Sequence, residues 1–455
     1  MIAAFDTSFV PKLARTVATG MLALSISACG WFGGDDDEPE QTYDDEGRER
    51  ISILTSTQTL DADSSIANLA VVLPQPYTNK NWSLPGGNAA HSIQHLQISD
   101  TLRPVWQTRI GRGNEKYERV ISSPVAAGGR VFAVDVEGDV FAISLDSGRI
   151  LWSVEFRNEN ERSDVGFGGG VAHSGGVVYA TSGFGLLGAF DAATGRELWR
   201  FDATVPFRGA PTIDAGRVYA ITHDNQMLAL NTEDGSLIWD QVGIAENAGM
   251  LGAATPAFDN GTLVVALSSG EMIVMLGGNG RILWQDTLSS SRRLTPLATL
   301  ADIDGNPVID RGKVYALSHA GSMVAIDMRS GERSWEADIA GVNMPWVAGN
   351  FAFLTTIDGQ VVCVSLTDGR VRWVTQLQRF LDQDKRRGLI KWNGPVLAGD
   401  RLLVTSTHGY ALSVSPYTGE VLSGIELPDG SSTQPIVVDG TLLVLTNAGE
   451  LVAYR

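Results

Sequence analysis

Three histidines, His223, His319 and His408, are the first residues in this sequence that could gather around a metal. Three imidazoles suit zinc. They occupy one recurring turn position, but in alternate copies of a repeat, which sets them apart around a ring, so they read as turn residues. His91 and His95 have the i, i+4 spacing of a zinc helix, yet no Glu follows His91 and that signature fails. Cys363 is the one candidate thiol nucleophile. Its equivalents in the other repeats are Ala142, Ala189, Ala229, Val274, Ala325, Ser413 and Ala453. That column demands a small residue, so Cys363 reads as core filler. No G-x-S-x-G, phosphate loop or dinucleotide fingerprint occurs in context. The residues therefore predict no catalytic group, no metal site and no cofactor.

The repeat that places these residues is plain. Gly138–Trp152 reads GDVFAISLDSGRILW and Gly185–Trp199 reads GLLGAFDAATGRELW. Copies end at Trp239, Trp284, Trp335 and Trp373; a seventh ends at Ser423 and an eighth stops at Arg455. Each copy is a strand, a tight turn and a second strand. The turn glycine supplies positive φ, and the tryptophan that follows it predicts a flat ring packed between neighbouring sheets. Upstream of each copy lies another hairpin, beginning near Pro124, Val171, Pro211, Pro256, Pro307, Pro345, Pro395 and Pro435. Four strands per repeat, with tryptophans 38 to 51 residues apart, predict an all-β fold: an eight-bladed β-propeller over residues 104–455. The last copy lacks its fourth strand. Pro104–Thr108, with Trp106, resembles a spare one, so the N-terminal strand is expected to close the last blade.

Composition agrees. Gly is 51 of 455 residues, the hydrophobic fraction is 44%, and 34 basic against 52 acidic residues leave a net charge of −18. Many turns and a full core follow. A surface this acidic argues against nucleic acid, whose binding depends on Lys and Arg. With only Cys29 and Cys363, no disulfide framework or thiolate metal site is drawn.

Lys12 and Arg15 precede an uncharged run, residues 16–28, too short to span a membrane. Ile26-Ser27-Ala28-Cys29-Gly30 resembles a bacterial lipobox, which implies cleavage of residues 1–28, acylation of Cys29 and anchoring by acyl chains to the periplasmic side of the outer membrane. Residues 35–50 hold nine acidic and two basic residues. This predicts a largely disordered tether over 29–80, either a solvated linker or an acidic binding tail, and then an entry segment over 81–103.

In such a ring the A–B and C–D turns share one face, and the B–C turns and D–A links share the other. The D–A links are long here (200–208, 240–253, 285–305, 336–343 and 374–393), which predicts one plain face and one binding face. Residues 243–252, with Met250 and Leu251, are mostly small and apolar and suit either a protein contact or packing on the ring. Residues 379–391 carry Arg379, Lys385, Arg386, Arg387 and Lys391. They read as a solvated loop or as a site for an acidic partner or lipid headgroups.

The blade motif, best preserved at Ala189–Trp199, resembles that of quinoprotein-like propellers. One branch of these is the quinone-dependent dehydrogenases, which need a calcium site, an Asp base and often adjacent cysteines; this chain has no vicinal cysteines. The other branch is the BamB family, lipoproteins of the outer-membrane β-barrel assembly (BAM) complex. Lipobox, tether, eight plain blades and the entry Trp82-Ser83-Leu84-Pro85-Gly86-Gly87-Asn88-Ala89-Ala90-His91 resemble its alphaproteobacterial type. The resemblance implies a non-catalytic scaffold that docks on the periplasmic domains of BamA through inter-blade loops, beside the companion lipoproteins, and that handles unfolded outer membrane proteins. It implies contact by an apolar-x-apolar-Arg stretch, here Val205-Pro206-Phe207-Arg208, with Phe207 as apolar anchor and Arg208 giving a charged hydrogen bond to the partner; otherwise Arg208 reads as an ordinary exposed loop arginine. It also implies two acidic residues in the next long link, where this chain has Leu251 and Ala253.

Overall fold

Tight Gly-bearing turns joining apolar strands leave each repeat with one way to satisfy its backbone, an antiparallel sheet of four strands. The computed structural model describes residues 60–114, 119, 122–157, 168–244, 254–288 and 302–455. Within them stand eight four-stranded sheets and one two-stranded hairpin. Together the eight sheets make an eight-bladed propeller. Strands are named A to D from the axis outward. In blade 1 they are Val125–Ala127, Arg130–Val134, Val140–Ser144 and Ile150–Val154. The second blade begins at Gly169, one residue pair before the expected Val171. Closure is as expected: Pro104–Arg109 pairs antiparallel with Glu450–Tyr454 and supplies strand D of blade 8.

The strand-D tryptophans hold blade to blade. Five of the seven rings lie tilted against an aromatic of their own strand B, as in Tyr219–Trp239 and Phe353–Trp373, with centroids 6.1 Å apart; Trp284 and Trp106 have no aromatic residue there. Each indole N–H then donates to a carbonyl at the C–D turn of the following blade. The acceptors are Leu145 for Trp106, Ala192 for Trp152, Thr232 for Trp199 and Gly277 for Trp239. Met328, Leu366 and Pro416 accept from Trp284, Trp335 and Trp373. Ser423 stands where an eighth tryptophan would. The next blade ends its strand C at Tyr454 and has no C–D turn there to accept the bond.

One feature departs from expectation. The tether was predicted to run to residue 80, but the chain is bound to the ring from Leu60 onward. Asp63 N–H donates to Val371 O at 2.8 Å on the outer strand of blade 6, and Ile66 is buried. Residues 77–98 then form a strap along the inner edges of the A strands. Inner edges carry unpaired backbone groups that a closed ring does not otherwise satisfy. Trp82 and Ala126 exchange two backbone bonds of 2.7 and 2.8 Å (blade 1), and His173 N–H meets Ser83 O at 2.8 Å (blade 2). Leu84 and Ala89 pack with Ile213 of blade 3. Phe258 and Ile309 donate to Ala89 and Ala90 carbonyls at 2.7 and 2.9 Å (blades 4 and 5). Trp346 Nε1 donates to Gln94 O at 2.7 Å (blade 6). Gly399 N–H reaches Leu96 O at 2.9 Å, and Asp439 N–H reaches Asn79 O at 2.6 Å (blades 7 and 8). The strap therefore touches every blade and closes the axial channel at the A–B turn end. Residues 1–59, with the expected leader, Cys29 and the acidic run, lie outside the described residues.

Candidate functional site

The B–C turns and D–A links surround the open end of the axis. Backbone bonds tie each link to the neighbouring turn: His223 N–H donates to Pro206 O at 2.7 Å and His319 N–H to Asp302 O at 3.0 Å. His223 and His319 thus fasten link to turn through their backbone, and His408 N–H donates within its own turn to Ser406 Oγ at 3.4 Å, so all three sit as turn residues. Among the described residues, the three acidic groups Asp135, Glu137 and Asp139 come close enough to share a cation. Asp135, however, spends its carboxylate on the N–H groups of Glu137, Asp139 and Arg112 at 3.0, 2.9 and 3.2 Å. This locks the turn. Burial first, then the Asp135 charge, pushes Asp139 up to about 6. Cys363 is buried on strand C of blade 6 opposite Phe353 and Trp373, and burial drives its thiol well above the usual range.

The stretch from Val205 to Arg208 joins blades 2 and 3. Phe207 bridges Thr222, and Arg208 N–H donates to Ile221 O at 3.1 Å. The sequence reading needs correction here. Phe207 is 0% exposed, packed into the core shared by blades 2 and 3, so it is not a surface anchor. An aromatic with no hydrogen-bonding atom is better placed under a link than on top of it, and here it fastens the link down. Arg208 likewise does not offer its charge to a partner at the surface, nor is it an exposed loop arginine. Its side chain is 2% exposed and points to the axis, where Nη2 lies 3.3 and 3.2 Å from the carboxylate oxygens of Asp302 and 3.8 Å from Asp304 Oδ1. Only Val205 and Pro206 of the four reach the surface, each half-buried.

Asp302 and Asp304 were missed by the sequence reading. The acidic partners were sought at Leu251 and Ala253, in the link after blade 3. The acidic residues that meet Arg208, Asp302 and Asp304, stand at the end of the link after blade 4. Asp302 is 2% and Asp304 9% exposed. Burial first, then the Asp302 charge, raises Asp304 to about 7, while Arg208 and Lys391 pull it down. A dry site with two carboxylates and one guanidinium holds its second negative charge poorly. A D-x-D pair just before Asn306-Pro307 was the available signal. Met250 and Leu251 lie outside the described residues.

The basic segment 379–391 is not an irregular loop. Phe380–Asp382 and Arg387–Leu389 pair as a hairpin that stands exposed beside the axis. Arg379 binds Asp358 at 2.7 Å at its base, and Leu381 and Leu389 are exposed on it. Among the described residues, no helix is long and apolar enough to cross a membrane.

Comparison with known proteins places these features. The sequence matches the family described as "Outer membrane protein assembly factor BamB" over residues 98–162 and 136–375. The protein of that name from Salmonella typhimurium is 29% identical over 367 residues, 78% of this chain and 90% of its own length. That from Escherichia coli K12 is 27% identical over 355 residues, 77% and 88% respectively. Among solved structures, BamB from Moraxella catarrhalis superposes with a TM-score of 0.67 at 19% identity, covering 78% of this chain and all of that one. A quinohemoprotein alcohol dehydrogenase from Comamonas testosteroni reaches 0.63 at 14% identity, covering 86% and 82%. At such identities the structural likenesses establish the fold alone.

Proposed function

This chain belongs to the BamB family of outer membrane protein assembly factors, and from that premise we propose that it is a non-catalytic lipoprotein scaffold of the BAM complex. Acyl chains on Cys29 hold it at the periplasmic side of the outer membrane. Its loop face docks on the periplasmic domains of BamA, beside the companion lipoproteins, and so assists insertion of unfolded barrel proteins. The observation that carries this reading is the pairing of family membership with the buried Arg208–Asp302–Asp304 cluster at the open end of the axis. The resemblance implied parts for an arginine and, separately, for two acidic residues of the next long link; here Arg208 meets Asp302 and Asp304 of the link after blade 4. Their burial assigns them a positioning part. They tie the link after blade 2 to the link after blade 4, so that Val205 and Pro206 are presented at a fixed place. A buried charge pair is costly to break, by about 3–5 kcal/mol when one partner is removed, which makes the presentation rigid.

The competing dehydrogenase reading rests on a shared fold, and fold alone does not carry a chemistry. Two measurements test the proposal. A photo-crosslinker at Val205 is expected to yield an adduct with BamA, while one at Gly128, in an A–B turn, yields none. Arg208→Glu would set three carboxylates together in a dry site, and co-purification of BamA is expected to fall at least tenfold. Absence of BamA adducts from Val205 and from the exposed hairpin residue Leu381 would remove the docking assignment.

A further inference from the structure

The hairpin between blades 6 and 7 belongs to no blade. Phe380–Asp382 and Arg387–Leu389 form a sheet of their own. Its base is fastened: Ile390 N–H donates to Arg379 O at 2.8 Å, Trp392 Nε1 to Gln378 O at 2.9 Å, and Lys391 N–H to Thr407 Oγ1 at 3.1 Å. Its tip is not, and residues 383–389 are all exposed. A lone two-stranded sheet is marginally stable in water. The ring therefore holds out an arm that its own packing does not need.

The arm opposes the rest of the chain in charge. The chain carries −18, whereas residues 379–391 hold five basic and two acidic residues. Arg379 is neutralised by Asp358 at the base. Lys385, Arg386 and Arg387 follow one another at the tip, and none has an ion-pair partner among the described residues. Arg386 sits at φ +49°, a left-handed position where Gly or Asn is the cheaper choice, so its side chain is kept at a conformational cost. Beside these cations, Leu381 and Leu389 are 56% and 47% exposed. Cations together with bare leucines fit a surface that is anionic outside and apolar beneath, which is a bilayer with anionic headgroups. Two observations favour it over an acidic protein. An arm of ten residues offers far less than the ~800 Å² per partner of a stable protein contact, whereas at a charged bilayer each cation acts singly. The same face also exposes Asp202, Asp240 and Glu426 near the ends of strands D. An acidic protein broad enough to add contacts would meet these like charges; a bilayer touched by the tip alone does not. We propose that residues 380–389 are a membrane-contact arm, in which Lys385, Arg386 and Arg387 engage the phosphates of anionic lipids and Leu381 and Leu389 enter the headgroup layer. The proposal rests on the anchoring reading only for bringing a membrane within reach; the contact itself is a property of the arm.

The test places a dye on the arm. Cys363 is buried, so Cys29→Ser with Gln383→Cys leaves one reactive thiol, at the tip. The full chain carries an N-terminal histidine tag and is captured on vesicles by a nickel-chelating lipid, so the outcome depends neither on acylation of Cys29 nor on docking. The vesicles are phosphatidylcholine alone or phosphatidylcholine with phosphatidylglycerol, and both contain a lipid with a nitroxide headgroup that quenches the dye. Each cation near an anionic surface strengthens contact by roughly fivefold, and three by roughly 100-fold. Quenching at Gln383→Cys is therefore expected on the anionic vesicles, at background level on phosphatidylcholine, and lost at ~0.5 M salt. The triple variant Lys385→Gln, Arg386→Gln, Arg387→Gln is expected to lose the preference. A control dye at Ser147→Cys, in the exposed C–D turn of blade 1 on the opposite face, is expected to respond alike to both vesicles. A cooperative melt establishes that each variant folds. The proposal is overturned if the Gln383→Cys dye does not distinguish the two vesicles, or if the folded triple variant behaves as its parent. It is equally overturned if a photo-crosslinker at Leu381 in native membranes yields protein adducts and no lipid adducts, which would give the arm to a protein partner. Adducts from Val205 test docking separately, so either reading can fail alone.

Discussion

Arg208 shows why residue roles are harder to read than residue positions. In sequence it is a loop arginine after an apolar triplet; in the fold it is a buried strut, because Asp302 and Asp304, 94 and 96 residues further on, arrive at the same axis. Only ring geometry makes them neighbours. Two buried titratable groups on this axis give opposed pH signatures. His91 is buried on the strap, its Nδ1–H donating to Pro307 O at 2.7 Å, and burial lowers it from 6.5 to about 4. Between those values the unfolded chain binds the extra proton, so the stability His91 contributes is whole above pH 6.5 and is lost as pH falls toward 4. Asp304 is raised from 3.8 to about 7. There the folded state keeps the proton that the unfolded chain has released, so its contribution falls as pH rises from about 4 to 7. Unfolding midpoints measured across pH 4–7 should therefore tilt in opposite directions on substitution. His91→Gln is expected to lose less stability on acidification than the parent, and Asp304→Asn to lose less on alkalinisation. Parallel pH curves for parent and variants would show that neither group is buried as described.

At the scale of the element, the turn glycine and the tryptophan are one device. The sequence spacing showed that both recur, and the positive φ of the turn explained the glycine. The second reason for it was hidden. At each C–D turn a Cβ would strike the tryptophan of the preceding blade: at 2.5 Å for Gly235 against Trp199, and at 2.9 Å for Gly280 against Trp239. In the A–B turns the same test at Gly128 meets nothing within 4 Å. Gly280 and Gly128 have φ of +70° and +57°, so their backbone cost on substitution is similar. Gly128→Ala should cost about 1 kcal/mol from conformation alone, and Gly280→Ala about 2–3 kcal/mol once the indole has to move. Trp239→Phe should cost at least about 1 kcal/mol more than its lost area, because Gly277 O loses its donor. Denaturant midpoints decide the matter; equal losses at Gly128 and Gly280 would mean that the ring does not rest on the turn. The exception at Ser423 fits the same account, since the latch is missing at the one junction that has no turn to receive it.

The whole molecule depends on a segment that sequence patterns could not assign. Blades were legible because each is local: strand, turn and tryptophan fall within fifteen residues and recur. The strap has no period, and its partners are backbone groups between Ala126 and Asp439, up to 360 residues away. Its role follows only after the ring is closed. Because it bonds seven blades and packs on the eighth, it couples blades that otherwise meet only their neighbours, and repeat architectures without such coupling lose stability piecewise. Trp82 is its largest anchor, fully buried and packed 6.2 Å, centroid to centroid, from Trp346 across the axis. Trp82→Ala is expected to cost about 3–5 kcal/mol. The more telling consequence is in native-state hydrogen exchange. The amides of His173, Phe258, Ile309, Gly399 and Asp439 lie in five different blades, yet all donate to the strap. In Trp82→Ala they should gain a common, faster exchange rate, as one cooperative unit opens. Strand-C amides such as Leu228 and Val362, held between two neighbouring strands, should keep theirs. If the five amides instead exchange at unrelated rates, or stay as protected as in the parent, the strap is a passenger on the ring and not the element that closes it.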